Sequence, residues 1–167
     1  QLVETGERLT EESFRRLNAS PEAKMVLIFQ NPDAVVDETL LHPLVMVASD
    51  GLPGHPRGAG TFAKILARYV RTQRRLTLMD ALRKMTLLPA QRLERATEGA
   101  RRKARLQEGM DADIVVFDPQ TVEDRATYQA PREPSVGVRY LLVAGVLAVA
   151  DAQVVAGVTP GKALRGR

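Results

Sequence analysis

A chain of 167 residues with 44% apolar and 26% charged side chains has the make-up of an ordinary globular protein of one domain, or of one and a fraction. It has no cysteine, which excludes disulfide staples and thiolate metal sites, and no apolar run near the ~20 residues of a membrane span, so no membrane partner is expected. The net charge of +4, from 24 basic and 20 acidic residues, is mild. Its densest run, Arg101, Arg102, Lys103 and Arg105, has no aromatic platform beside it, so it reads as a solvated charge run and nucleic acid is not the expected partner. The chain starts at Gln1, without an initiator Met or a charged-then-apolar leader, which reads as a truncated or processed cytoplasmic protein.

In chain order, Thr10 is placed to cap a short helix carrying Phe14 and Leu17. Met25 to Phe29 is a compact run of strand formers. Pro32 and Asp33 open a helix through Val35, Val36 and Leu40, and a second apolar run, Leu44 to Ala48, follows. Continuous rather than alternating hydrophobicity suits strands buried on both faces, so the two runs are expected as adjacent parallel strands with helices outside. Phe62, Ile65, Leu66, Tyr69 and Val70 then form one helical stripe with Thr61 as its N-cap. Another helix starts at Thr77, with Asp80 completing a capping-box-like pattern and Leu78, Ala81, Leu82 and Met85 as its buried stripe. Pro89 begins a helical turn containing Leu93.

From about Arg95 the rhythm changes. Ile114 to Phe117 reads as a strand closed by Asp118-Pro119, and a Pro-punctuated stretch leads through Pro131 and Pro134. Val138 to Val143 and Val146 to Val149 read as a hairpin about Ala144-Gly145, and Asp151-Ala152 turns the chain into Val154 and Val155. Short strands joined by tight turns predict antiparallel β structure. The fold class is therefore α/β plus β, with residues 1–94 as βα units and 95–167 as an antiparallel β module.

The chemistry-bearing stretch is Ser49-Asp50-Gly51-Leu52-Pro53-Gly54-His55-Pro56-Arg57-Gly58, directly after the second apolar run. In parallel sheets and barrels, active sites gather at the carboxyl ends of strands. Asp50 there can ligate a divalent metal and take a proton from metal-bound water, or it can serve as an Asx-turn or helix cap. Arg57 can hold a substrate carboxylate through two parallel hydrogen bonds, or can pair with a neighbouring acid. His55 shares the loop and can contact a substrate or metal, whereas His42, ahead of the run, reads as structural. Zinc normally takes three or more protein ligands, so any metal site within this chain is incomplete.

The series His42-Pro43-Leu44-Val45-Met46-Val47-Ala48-Ser49-Asp50-Gly51, His55-Pro56-Arg57-Gly58 and Gly60-Thr61-Phe62 resembles the D-aminoacylase (N-acyl-D-amino-acid deacylase) branch of the amidohydrolase superfamily. So do Leu82-Arg83-Lys84-Met85-Thr86, Pro89-Ala90, Arg92-Leu93 and the run from Leu106 to Asp118. The resemblance implies the last βα units of a (β/α)8 barrel followed by part of a β-sandwich. It implies that Asp50 is the final-strand aspartate, both metal ligand and general acid/base, and that Arg57 receives the substrate's carboxylate with His55 nearby. It implies zinc in the full-length enzyme, with none retained by this chain, and a small-molecule N-acyl-D-amino acid as substrate. The His-x-His pair and the later metal-binding histidines of that family have no counterpart here. Unpaired barrel strands would drive the chain to a homo-oligomer or edge-packed dimer. The other readings of the same residues are a non-catalytic assembly or binding module, or a piece of a related cyclic-amide hydrolase.

Overall fold

The computed structural model describes every residue except Ala23, Phe29 and Arg167. The first helix, α1 (Glu11–Asn18), starts where Thr10 places it. The Thr10 hydroxyl accepts the Ser13 N–H at 3.2 Å, and Ser13 Oγ in turn accepts the Thr10 N–H at 2.9 Å. Two donors of the first turn are thereby satisfied reciprocally. Helix α2 spans Asp33–Leu41 behind Pro32. Helix α3 spans Arg57–Lys64 and continues without a break into a π-helical segment, Ile65–Thr72. It begins earlier than the stripe beginning at Phe62 predicts. Pro56, with φ near −64°, is preset for a helical entry, and Thr61 lies inside the helix with its hydroxyl donating to the Arg57 carbonyl at 2.8 Å. The wider π turn buries Ile65, Leu66, Ala67 and Tyr69 together. Helix α4 (Leu78–Met85) is capped by Thr77, whose side chain accepts from the Asp80 N–H. Helix α5 (Leu87–Leu93) carries Pro89 in its first turn, where no N–H is needed.

The second half contains one antiparallel sheet in the order β1-β2-β3-β4, made of β1 (Ile114–Phe117), β2 (Val138–Val143), β3 (Val146–Ala150) and β4 (Gln153–Val154). The expected turns are present. Ala144 and Gly145 have φ of 50° and 79°, and Asp151 and Ala152 have 48° and 64°. Positive φ at both central residues matches the right-handed twist of a two-residue hairpin.

The two early apolar runs differ from expectation. Among the described residues there is no parallel strand pair. Val26 instead forms an isolated antiparallel bridge with Leu2, flanked by Val3 N–H donating to Met25 O and Leu27 N–H to Gln1 O; Phe29, the end of the predicted strand, lies outside the described residues. Residues 45–48 follow a turn at Pro43 and Leu44 and join no ladder. A strand exists only where a neighbouring backbone satisfies its N–H and C=O groups. Here that partner is a side chain and one carbonyl. Lys84 Nζ donates to His42 O at 2.5 Å and Val45 O at 3.0 Å, while the Val47 N–H donates to Lys84 O at 3.0 Å. Leu44 is left 83% exposed and Ile28 73%.

The core gathers Leu40, Val47, Ala63, Ile65, Leu66, Tyr69, Ala81 and Val122, with Phe117 packed against it. It therefore joins α2, α3 with its π extension, α4 and the segment after β1. Tyr69 donates its hydroxyl to Asp37 Oδ1 at 2.6 Å, and burial with this bond pushes its pKa up to about 12. Lys84 lies i+3 from Ala81 on the same face and is only 6% exposed. Burial lowers its pKa below the ordinary 10.5. Lys84→Met relieves that desolvation but takes the donor from the Val45 carbonyl, while the His42 carbonyl keeps the Val45 N–H at 3.0 Å, and is expected to destabilise the chain by about 1 kcal/mol. The sign with pH follows from the depressed pKa: the penalty for holding the charged amine is fully present below the folded pKa and vanishes as pH rises to 10.5. Wild type should gain stability relative to Lys84→Met as pH is raised toward that value, as read by thermal melts. A gap that narrows with rising pH would refute this.

Candidate functional site

The loop between the second apolar run and α3 is held close to the helix by two glycines. A Cβ on Gly51 would sit 3.5 Å from the Gly58 Cα, and one on Gly58 would sit 3.7 Å from the Gly51 Cα. His55 N–H donates to Leu52 O at 3.1 Å, tightening the turn into Pro56. Asp50 has φ of 45°, a left-handed conformation that Asp tolerates better than most residues. Its side chain is 81% exposed and meets Arg57, whose Nη2 lies 2.8 Å from Asp50 Oδ2. The two candidates are thus brought together, and the arginine has a neighbouring acid. Arg57 Nε, however, is buried and without a hydrogen-bond partner among the described residues. One donor of the guanidinium fork is thus left unmet.

His55 is engaged at both nitrogens. Its Nδ1 accepts the Arg57 backbone N–H at 3.1 Å, and its Nε2 lies 3.3 Å from the Tyr128 hydroxyl. The two rings meet edge to face, 5.1 Å between centroids. Burial first, and the Arg57 charge second, lower the His55 pKa, favouring neutral imidazole. His42 sits apart in the turn before the apolar run, its Nδ1 accepting from Leu44 N–H at 3.3 Å.

Sequence reasoning missed Tyr128. It stands 73 residues from His55 in a polar, Pro-punctuated stretch with no periodicity to mark it. Three contacts bring its segment onto α3. Ser135 Oγ donates to Ala59 O at 2.9 Å, Asp124 Cβ lies 3.1 Å from where a Gly60 Cβ would be, and Tyr128 meets His55.

Among the described residues no three His, Cys, Asp or Glu side chains converge on a point that could hold a metal. Asp50 is a single exposed carboxylate, and both ring nitrogens of His55 are already committed. A zinc ion needs more donors than this chain presents, so the residues present do not by themselves fit one. The basic run is largely paired: Arg102 contacts Asp111, Lys103 meets Asp111 at 3.0 Å and Asp113 at 2.6 Å, and Arg105 meets Glu94. No helix among the described residues is long and apolar enough to cross a membrane.

The profile described as "Amidohydrolase family" matches residues 13–149, most of the chain. The chain belongs to the amidohydrolase family. Curated relatives include an N-acyl-D-glutamate deacylase of Alcaligenes xylosoxydans xylosoxydans, 48% identical over 108 residues, covering 62% of this chain and 21% of that protein. A D-aminoacylase of the same organism is 39% identical over 129 residues, covering 75% of this chain and 25% of that one. Among solved structures, a D-aminoacylase superposes with a TM-score of 0.71 at 35% identity, over 80% of this chain and 28% of that one. N-acyl-D-glutamate deacylase from Bordetella bronchiseptica, complexed with zinc and a phosphonate mimic of the tetrahedral intermediate, gives 0.67 at 41% identity, over 81% and 28%. This amidohydrolase chain thus spans about a quarter of the length of the proteins it matches.

Proposed function

We propose that the chain is the C-terminal portion of a metal-dependent hydrolase that cleaves the amide bond of N-acyl-D-amino acids. Residues 1–94 would contribute the last βα units of its barrel and 95–167 part of its β-sandwich. The observation that carries the reading is the loop in which Asp50 and Arg57 meet at 2.8 Å while Arg57 Nε stays buried without a partner. An amide hydrolase acting on an amino-acid derivative needs a group that moves protons and a group that holds the α-carboxylate. Asp50 is suited to the first, since an ionised carboxylate can accept a proton from water and later deliver it to the departing amine. Arg57 is suited to the second, because a guanidinium can take a carboxylate through two parallel bonds. Asp50 is also the one metal ligand we assign here, the remaining zinc ligands belonging to the rest of the enzyme. The apolar run before Asp50 is consistent with the barrel assignment, since a strand without its neighbours would leave apolar side chains in solvent, as Met46 is left.

The test is turnover of N-acetyl-D-glutamate, N-acetyl-D-aspartate and N-acetyl-D-leucine, with their L-enantiomers, by the whole enzyme loaded with zinc. Release of the free D-amino acid, abolished by chelation, is the expected result. No turnover of any N-acyl-D-amino acid would refute the reading. The 167-residue chain alone is expected to bind zinc weakly and to hydrolyse none of them. Light scattering should show it as a dimer or higher species, since Leu44, Ile28 and Met46 present uncovered apolar surface; a clean monomer at high concentration would count against that assignment.

A further inference from the structure

We propose that Tyr128 is a positioning residue for the Asp50–Arg57 loop, and that its hydroxyl lends a hydrogen bond to an anionic group held by Arg57. The inference rests on the deacylase reading for the identity of that anion, and on geometry alone for the positioning.

The argument starts from the His55 ring. Its Nδ1 accepts the Arg57 backbone N–H at 3.1 Å, so that nitrogen carries a lone pair. A neutral imidazole then has its proton on Nε2. The Nε2–H is therefore the donor in the 3.3 Å contact with Tyr128, and the phenolic oxygen is the acceptor. Burial and the Arg57 charge both favour this neutral ring.

Two consequences follow. First, by accepting the Nε2–H, Tyr128 holds the ring where its Nδ1 can accept the first N–H of α3, that of the residue carrying the guanidinium. Second, with its oxygen used as an acceptor, the Tyr128 O–H proton is free to donate to something else. Tyr128 OH makes no bond to another side chain among those described apart from His55. Arg57 Nε–H and Tyr128 O–H are thus unspent donors of two residues that both hold the His55 ring, Arg57 through its backbone N–H and Tyr128 through its phenolic oxygen. Two donors, one charged and one neutral, fit the two oxygens of a carboxylate.

Tyr128 is not held there by its own contact alone. The Ser135 hydroxyl on Ala59 O and the close approach of Asp124 to Gly60 fix the segment 124–135 against the first turns of α3. The β half of the chain thereby supplies a side chain to a loop that precedes it by 73 residues.

The chain has only two histidines, so long-range 1H–15N correlation of the imidazoles reads His55 directly. At neutral pH the wild-type chain should show Nε2 protonated and Nδ1 as the acceptor, with contacts between the His55 and Tyr128 rings. Tyr128→Phe keeps the aromatic edge and removes the oxygen; it should leave the Nε2–H without its acceptor, loosen the ring and shift the His55 Nε2 resonance and the backbone amides of residues 50–58. A wild-type ring protonated on Nδ1, or a Tyr128→Phe spectrum superimposable on wild type, would overturn the positioning role. The wild-type tautomer needs no variant, so it decides even where Tyr128→Phe fails to fold. In the whole enzyme Tyr128→Phe should raise KM for N-acetyl-D-glutamate about tenfold, the worth of one hydrogen bond to a charged group, with kcat within about twofold. An unchanged KM would overturn the carboxylate contact. A wild-type enzyme that cleaves no N-acyl-D-amino acid would overturn the identity of the anion, and is told apart from failed positioning because the tautomer is read without substrate.

Discussion

Asp50→Asn in the whole enzyme is expected to lower kcat by about a thousandfold, the usual worth of a positioned proton-transfer group. The amide has nearly the shape of the carboxylate but cannot accept the proton, and it is a poorer ligand for a divalent cation. The fold should survive. Asp50 is 81% exposed at its side chain and its ion pair with the 36%-exposed Arg57 lies at the surface, where such pairs contribute little. Its φ of 45° is one that Asn adopts readily. Steady-state turnover of an N-acetyl-D-amino acid, with thermal melts of both proteins, separates the two effects. Full activity of Asp50→Asn would remove the catalytic assignment, and a collapse of the melt would show that Asp50 holds the loop together rather than acting in catalysis.

The second large effect is structural. Gly137→Ala is expected to destabilise the chain by about 3 kcal/mol, at the upper end for a single substitution. Gly137 has φ of 81°, and a Cβ there would lie 2.4 Å from both the Cα and the N of Val122 and 2.8 Å from the Thr121 carbonyl carbon. These are backbone atoms, so no rotamer change relieves the clash. Val122 is 2% exposed and sits in the core beside Ala81 and Tyr69. Moving it opens the contact between the segment after β1 and the helices. The same displacement would lift residues 124–135 from α3, so the His55–Tyr128 contact should weaken with it. Denaturant melts read the stability, and a loss below about 0.5 kcal/mol would show that the chain accommodates the methyl group by a route the packing does not suggest.

Local chemistry alone located much of this protein. Thr10 and Thr77 mark helix starts because their hydroxyls satisfy N–H groups within three residues. The strands from Ile114, Val138 and Val146, with the turns at Ala144-Gly145 and Asp151-Ala152, follow from β-branched runs and two-residue turns, each a nearest-neighbour effect. The ordered series around Asp50 and Arg57 was sufficient to name the family, and the two side chains do meet. What sequence alone did not decide lies in contacts between distant segments. The run Leu44 to Ala48 has strand composition, but a strand is a property of two backbones, and the partner found here is Lys84. Lys84 reads as one more cation on a helix until Ala81, three residues before it, is seen to be fully buried beside it. Tyr128 has no local mark, because its role comes from the chain folding the segment after β1 back onto α3. Periodicity and capping act over a few residues and are written in the sequence; the tautomer of His55, the burial of Lys84 and the unmet donor of Arg57 depend on which surfaces are brought together, and only the tertiary structure decided them.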